Sequence, residues 1–352
     1  MNIRNINRRA ALGALALLGG AATLAVSAWA SGGQKLPEQT ATQAAQSVAS
    51  WPAQPITLIM AFPAGSGVDV IARLIQEPLA KALGQPIIID YKPGAAGNIA
   101  SEFVARARPD GYTLAFGTAA THGSNAALYK NLPFDVEADF VPVAPINDVS
   151  NVLTINPEVI DVKNLAEFVA EIKAHPGKYN FASTGNGTGT HMAFAEFNSR
   201  LGLDMVHVPY KGGPDAIGAV LRGETCCIMN QVQTVLPHAK AGKVRLLGVT
   251  TAQRVPAVAD VPPIADSGLP GTQGFDSAIW FGVFAPKGTP APIVQRLNAA
   301  ITGVLKQPAM RERIESMGNA VRIETPEQFA ITVRDNRRKW AEVVEAAKVQ
   351  IN

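Results

Sequence analysis

The chain has 352 residues, 47% of them hydrophobic and 17% charged, so it is long enough for two domains of an ordinary globular protein. Its net charge of +3 is too small to indicate a nucleic-acid partner. The five histidines and two cysteines show no spacing typical of a zinc site. We therefore expect no nucleic acid, no metal and no cofactor.

The first thirty residues are typical of an export signal. Three arginines precede the apolar stretch 10–26, and Ala28-Trp29-Ala30 matches a cleavage site. The pair Arg8-Arg9 is compatible with twin-arginine export and with the general secretory route, and the sequence leaves both open. Residues 31–50 are rich in Gln, Ala, Thr and Ser, which predicts a disordered spacer. The sequence thus predicts an exported protein with a signal peptide at 1–30.

Strands and helices are predicted to alternate from Trp51 onwards. The first block should contain strands 56–62, 86–90 and 113–117, helices 68–83 and 98–107, and a polar loop at 118–125. After an extended crossing at 141–155, the second block should contain helices 164–174, 214–221 and 235–241, a helix beginning near His191, and strands ending at Ser183, Tyr210, Asn230 and Thr250. An extended run at 280–286 and two helices, opened by Thr289-Pro290 and Thr325-Pro326, complete the chain.

This alternation predicts an α/β fold whose sheets are parallel and covered by helices on both faces. Two such blocks joined by crossings indicate two lobes with a cleft between them. We expect residues 51–150 and 253–352 to form the first lobe and residues 151–252 the second. Cys226 and Cys227 are adjacent, and we expect two reduced thiols on opposite faces of a strand, because a disulfide between neighbours is strained.

A glycine-rich run, 183–191, lies between a predicted strand and a predicted helix. Such a turn exposes unpaired backbone N–H groups that favour an anion, and both phosphate and carboxylate remain open. The pattern Gly185-x-Gly187-x-Gly189 has Thr190 where a dinucleotide-binding fingerprint needs glycine, and no Walker lysine follows. A second glycine turn, 63–67, follows the first strand in the same way. Ligands of open α/β sheets bind beyond the carboxyl ends of the strands, where both turns are expected.

Several motifs occur in an order that resembles a known family. They are Phe62-Pro63-Ala64-Gly65-Ser66-Gly67-Val68-Asp69, Pro93-Gly94-Ala95-Ala96-Gly97-Asn98, Pro109-Asp110-Gly111-Tyr112, His207-Val208-Pro209-Tyr210-Lys211-Gly212 and Ala285-Pro286-Lys287-Gly288-Thr289-Pro290. From Trp51 to its C-terminus the chain resembles the Bug-type substrate-binding proteins of tripartite tricarboxylate transporters.

The resemblance implies a periplasmic receptor of the type II periplasmic binding protein fold, and no enzyme. Its two lobes would close on a small organic acid, a mono- or dicarboxylate that could be aromatic. The receptor would then deliver the acid to a two-component membrane permease, and we expect it to be a monomer.

The resemblance also implies ligand-binding residues on both lobes. On the first lobe these are Phe62, Ala64, Gly65, Ser66, Gly67, Asp69, Thr118, Ala119 and His122. On the second lobe they are Ser183, Thr184, Gly185, Asn186, Gly187, Thr188, His191, Pro209 and Tyr210. Asn230 stands where the family strand carries an aspartate, and a neutral amide there favours a plain carboxylate over an amino acid.

Two other functions remain open from the sequence. A secreted hydrolase could use Ser66 or Ser183 as nucleophile, with His191 as base, although Ala64 and Val68 replace the glycines of a nucleophile elbow. A soluble receptor that feeds a signalling sensor is the other alternative. Individual residues have structural alternatives too: Asp69 could favour its helix dipole alone, and His191 could cap its helix rather than contact a ligand.

Overall fold

We analysed the protein in a computed structural model that describes residues 50–349. The predicted signal peptide and all but the last residue of the predicted spacer lie outside the described residues. Within the described part of the chain, no helix is long and apolar enough to cross a membrane.

The secondary structure falls into three runs along the chain. The first run contains β1 (Ile56–Met60), α1 (Gly67–Leu83), β2 (Ile87–Tyr91), α2 (Asn98–Ala105), β3 (Thr113–Thr118), α3 (Asn125–Leu128) and β4 (Phe140–Val149). The second contains β5 (Asn151–Ile155), α4 (Leu165–Ala174), β6 (Asn180–Ser183), α5 (Gly189–Leu201), β7 (Val206–Pro209), α6 (Gly213–Leu221), β8 (Cys227–Gln231), α7 (Val232–Lys240) and β9 (Arg245–Val249). The third contains β10 (Ile279–Pro286), α8 (Ala291–Leu305), α9 (Pro308–Ser316), β11 (Asn319–Val321) and α10 (Pro326–Ala346).

The strands form two separate sheets, each with its own helices, which confirms the predicted α/β fold of two lobes. The first sheet has the order β11-β4-β10-β3-β1-β2, and the second has the order β7-β6-β8-β5-β9. Below, the first lobe means the first sheet with the helices packed on it, and the second lobe means the second sheet with its helices. The chain crosses between them at Ser150 and again between β9 and β10.

The prediction of purely parallel sheets was wrong. In the first sheet β1 is parallel to β2 and β3, but β10 runs antiparallel to both β3 and β4. In the second sheet β6 is parallel to β7 and β8, whereas β5 is antiparallel to β8 and β9. All eight residues of β10 are buried, and a strand buried on both faces has the same apolar pattern whichever way it runs.

The segment that follows β9 packs against the second sheet. Val255 and Val258 belong to one apolar cluster of that lobe, and Ile264 and Phe275 belong to the other. The pattern of strands and helices predicts that residues 253–352 belong to the first lobe. These apolar residues instead remain with the second sheet until β10 begins at Ile279.

Side-chain caps open three of the ten described α-helices, α1, α4 and α10. Ser66 caps α1 by accepting a hydrogen bond from the Asp69 N–H, and Thr325 with Gln328 forms a capping box on α10. The predicted cap of α8 was wrong, because the Thr289 hydroxyl bonds the Pro286 carbonyl and Pro290 precedes the helix. The predicted polar loop at 118–125 is helical, with a π-helical turn at Ala120–Ser124 that runs into α3.

The two cysteines are free and buried, as predicted, but they do not point to opposite faces of a strand. Their sulfur atoms lie 3.3 Å apart, because Cys226 precedes β8 and only Cys227 is in extended backbone. Burial and the neighbouring thiol both raise the pKa of Cys227, so this thiol is un-ionised at neutral pH.

Candidate functional site

A cavity of about 50 Å³ lies between the two lobes. The first lobe supplies its lining from the start of α1, the end of β3 and the start of β10. The second lobe supplies the glycine run before α5, the start of α6 and the end of β8. The lining residues are Phe62, Ser66, Gly67, Val68, Thr118, Ala119, Ala120, Thr184, Thr188, Gly189, Thr190, Gly212, Gly213, Asn230, Gln231, Thr234, Ile279 and Phe281.

The turn before α1 is held by a buried carboxylate. Asp69 accepts hydrogen bonds from the Gly65 N–H at 2.8 Å, from the Tyr91 hydroxyl at 2.5 Å and from the Arg73 guanidinium at 3.0 Å. Burial alone would raise the pKa of Asp69, but the bonds from Tyr91, Gly65 and Arg73 hold it below its ordinary value. Asp69 therefore fixes the shape of the turn, while Gly67 and Val68 present the first turn of the helix to the cavity.

Three threonines shape the turn before α5. The Thr190 hydroxyl accepts the Thr184 N–H at 2.9 Å, the Thr184 hydroxyl donates to Thr188 at 3.0 Å, and the Thr188 hydroxyl donates to the Gly185 carbonyl at 2.8 Å. These bonds fix the shape of the turn. The first N–H groups of α5 therefore remain free to bind a group in the cavity. Gly189 is required here, because a Cβ at this position would lie 2.6 Å from Ile279 of the first lobe.

Asn230, near the end of β8, carries a donor without a protein partner. Its side-chain oxygen accepts the Gln231 N–H at 2.8 Å, and this bond distinguishes the amide oxygen from the amide nitrogen. The amide nitrogen then faces the cavity, where it is buried and has no hydrogen-bond partner among the described residues. A buried amide N–H₂ group left unpaired costs free energy, so this atom is suited to an acceptor that enters the cavity.

Thr118 organises the remaining wall. Its hydroxyl accepts the N–H groups of Ala120 and Thr121, both at 3.2 Å, and so starts the π-helical turn. Ala119 and Ala120 then lie against the cavity. His122 in the same turn does not reach it: the ring is fully buried, stacks on Phe284 at 3.8 Å between ring centres, and burial lowers its pKa to about 3.

The electrostatics of the cavity come from helix ends. None of the described residues that line it carries a formal charge. Four helices begin at its wall, α1 from the first lobe and α5, α6 and α7 from the second, and the first N–H groups of a helix lack partners within the helix. Each of these ends also carries a partial positive charge, so the cavity favours an anion with acceptor oxygens.

The two lobes touch directly around the cavity. The Gln233 side chain of the second lobe donates to the Gly67 carbonyl of the first at 3.3 Å, and Ser124 of the first lobe donates to the Gly187 carbonyl of the second at 3.3 Å. A Cβ on Gly67 would lie 1.5 Å from the Gln231 side-chain oxygen. The structure is therefore a closed arrangement of the lobes.

The structure brings together eight of the predicted site residues: Phe62, Ser66, Gly67, Thr118, Ala119, Thr184, Thr188 and Asn230. The other predicted residues lie outside the cavity lining: Ala64, Gly65, Asp69, His122, Ser183, Gly185, Asn186, Gly187, His191, Pro209 and Tyr210. Several of these support the turns. The His191 ring accepts the Gly187 N–H at 3.0 Å, which is the capping role left open from the sequence. The Tyr210 hydroxyl instead contacts Glu224 at 3.4 Å.

Sequence reasoning missed the start of α6 and the wall supplied by β10. Gly212 and Gly213 follow strand β7 and open a helix, so the strand–glycine–helix signal was present there as well. Gln231 and Thr234, at the end of β8 and in the first turn of α7, gave no such signal. Ile279 and Phe281 reach the cavity only because β10 returns beside β3.

The histidine that contacts Ser183 is not the one that the hydrolase alternative assumes. Ser183 pairs with His207 rather than His191: its hydroxyl lies 2.6 Å from the His207 ring nitrogen and 3.1 Å from the Gly185 carbonyl. Ser183 is fully buried outside the cavity, and the Ser66 hydroxyl accepts a backbone N–H as the α1 cap. Among the described residues, no group of three or more His, Cys, Asp or Glu could hold a metal ion.

Two α/β lobes that close over a neutral cavity lined by helix starts define a two-lobed solute-binding protein. Residues 71–349 match the family described as "Tripartite tricarboxylate transporter family receptor". The chain belongs to this family, whose members are receptors rather than enzymes.

Named relatives agree with this assignment. BugT of Bordetella pertussis is 33% identical over 296 residues, which cover 84% of this chain and 90% of that protein. The structure of MatC from Rhodopseudomonas palustris with bound malate is 35% identical, with a TM-score of 0.77, and covers 84% of this chain and 100% of its own. The structure of R. palustris Rpa4515 with adipate is 30% identical, with a TM-score of 0.81, over 85% and 99% of the two chains.

Proposed function

We propose that this protein binds a small organic mono- or dicarboxylate between its lobes and delivers it to a two-component permease of the tripartite tricarboxylate type. One carboxylate group of the ligand accepts hydrogen bonds from the first turns of α1, α5 and α6. Because these helices belong to different lobes, the ligand stabilises the closed arrangement. The protein works as a periplasmic monomer after a signal peptide is removed at Ala30.

The unpaired amide nitrogen of Asn230 carries the proposal. It faces a cavity with no formal charge, where a carboxylate oxygen would satisfy it and the helix ends would balance the negative charge. An ammonium group would meet the Asn230 amide nitrogen and the N–H groups of the helix starts, which cannot accept its protons. The malate- and adipate-bound structures of relatives fit the same ligand chemistry.

We further propose two roles for the residues singled out from the sequence. The eight that line the cavity contact the ligand directly. Asp69, His122, Ser183, Gly187 and His191 hold the turns in shape, while Ala64, Gly65, Gly185 and Asn186 form the turns themselves. Pro209 and Tyr210 set the end of β7, from which the start of α6 follows.

The test exchanges the donor for an acceptor of the same shape. Asn230→Asp replaces the amide nitrogen by a carboxylate oxygen, whose charge repels the ligand. Loss of a hydrogen bond to a charged group costs about 1.5–3 kcal/mol, so we expect at least a tenfold rise in Kd for plain acids by isothermal titration calorimetry.

Asn164→Asp is the matched control. Asn164 is the exposed cap of α4 in the same lobe; aspartate keeps the cap on the Glu167 N–H but loses the bond from the Asn164 amide to the Glu167 carboxylate, so stability should fall slightly and affinity should be unchanged. Equal affinities of wild type and Asn230→Asp would contradict the proposed site. A wild-type protein that binds only amino acids would contradict the proposed ligand class.

A further inference from the structure

A larger groove lies beside the cavity between the lobes. This groove has a volume of about 770 Å³ and shares Phe62, Thr184, Thr188 and Gly212 with the cavity. Its other walls come from both lobes. They are Ala61, Pro63, Tyr129 and the turn Pro93-Gly94-Ala95-Ala96-Gly97 on the first lobe, and Gly185, Asn186 and Lys211 on the second. The groove and the cavity therefore lie next to each other, separated by these four shared wall residues.

The inner cavity alone is too small for a whole organic acid of several carbons. One water needs about 10–15 Å³ of such space, so 50 Å³ corresponds to a few water-sized groups. That is enough for a carboxylate group and one or two carbons. The remainder of a longer acid would have to extend past Phe62 into the groove, since Phe62 is part of the wall that the two spaces share.

The groove is apolar with one cation. Phe62, Pro63, Pro93 and Tyr129 present carbon surface to it. Lys211 is exposed and is the one residue with a formal charge among the described residues that line the groove. No ion pair to Lys211 is formed within residues 50–349. Neutral donors in the cavity, with carbon surface and one cation in the groove, match the charge pattern of a long molecule with an acid at each end.

The outer wall of the groove is fixed in shape. Ala95 and Ala96 have φ of 47° and 52°, a left-handed conformation that costs free energy for a residue with a side chain. The turn is held by Asn125 of the first lobe, which donates to the Ala96 carbonyl at 3.1 Å. This preformed wall limits the width of a ligand in the groove, but it does not limit the ligand's length.

We propose that the ligand is an elongated dicarboxylate with an apolar middle, and that Lys211 pairs with its outer carboxylate. This inference rests on the proposed function, because the inner carboxylate must occupy the cavity at Asn230. It adds a second subsite and a residue that selects for the length and the second charge of the acid.

A chain-length series tests the proposal. Calorimetry would compare α,ω-dicarboxylates of three to ten carbons with monocarboxylates of equal length. We expect affinity to rise with length as the groove fills, and each long diacid to bind about fivefold more tightly than its monoacid, as an exposed ion pair allows. In Lys211→Met that advantage should disappear while monoacid affinity is kept. Lys243→Met, which removes an exposed lysine elsewhere on the second lobe, should leave both affinities unchanged.

The outcomes separate this inference from the proposed function. Short and long diacids of equal affinity, or an unchanged ratio of diacid to monoacid in Lys211→Met, would overturn the elongated ligand while leaving a carboxylate receptor in place. Absence of binding by every acid in the series would overturn both proposals. The wild-type series is decisive even if a variant folds poorly.

Discussion

Gly189 controls how closely the two lobes approach, and replacing it tests whether closure is required for binding. The residue begins α5 in the second lobe, and a Cβ built there lies 2.6 Å from Cγ2 and 3.0 Å from Cδ1 of Ile279 in the first lobe. Real Cβ atoms do not come so near to other carbons. Ile279 cannot easily turn away, since it is β-branched and forms the first residue of β10.

The variant Gly189→Ala should therefore fold but close poorly. Alanine suits the first turn of a helix, so each lobe should keep its stability. Overpacking a well-packed contact costs about 1–3 kcal/mol, and here that cost falls only on the closed arrangement. Because the ligand binds the closed arrangement, Kd should rise about 5- to 150-fold. Calorimetry with the acid that binds most tightly in the chain-length series measures this change, and small-angle scattering measures whether the ligand still makes the protein more compact.

Two further variants separate closure from other effects. Gly303→Ala makes the same substitution in the last turn of α8, where a Cβ would meet nothing within 4 Å, so affinity should stay and stability should rise. The double variant Gly189→Ala with Ile279→Ala removes the clash, and it should bind more tightly than Gly189→Ala alone. Wild-type affinity in Gly189→Ala would refute the view that this contact forms on binding.

Two predictions concern buried titratable groups. Burial lowers the pKa of His122 and of His191 to about 3 and that of His207 to about 4, so between about pH 4 and 6.5 the unfolded chain binds protons that the folded protein does not. Stability should then rise with pH across this window. Each histidine contributes up to about 1.4 kcal/mol per pH unit, and urea unfolding of His122→Phe should show a slope lower by that amount. Asp69 has the same sign in a lower pH range: its folded pKa is also lowered, so its stabilisation is present above its ordinary pKa and is lost at lower pH. Asp69→Asn should lower the free energy of unfolding by about 2 kcal/mol at pH 7 and by less at pH 3, and an equal loss at both would contradict the role of the carboxylate.

Local signals account for what the sequence could predict of the site. A strand followed by glycines and a helix start needs only a short stretch of chain, and such stretches led to the turns before α1 and α5. The capping box at Thr325 was readable for the same reason. The turn before α6 has the same pattern, with glycines at 212 and 213, and was overlooked although the signal was there.

The rest of the site depends on contacts between distant parts of the chain. Gln231 and Ile279 line the same cavity from different sheets, and nothing near either residue in the sequence indicates the other. His207 stacks on His191 at 3.8 Å and replaces it as the partner of Ser183, because β7 lies beside β6. The Ser183–His191 pair that the hydrolase alternative would need does not form for this reason.

The role of Asn230 follows from the sequence and from the structure together. The sequence indicates that a neutral amide replaces a carboxylate, but an amide can present either its oxygen or its nitrogen to a ligand. Only the bond from the Gln231 N–H, a consequence of how β8 ends, turns the oxygen away and leaves the nitrogen facing the cavity. The proposed preference for an acid over an amino acid therefore rests on one backbone hydrogen bond. Any variant that disturbs the end of β8, and so frees this amide to rotate, should relax the selectivity before it abolishes binding.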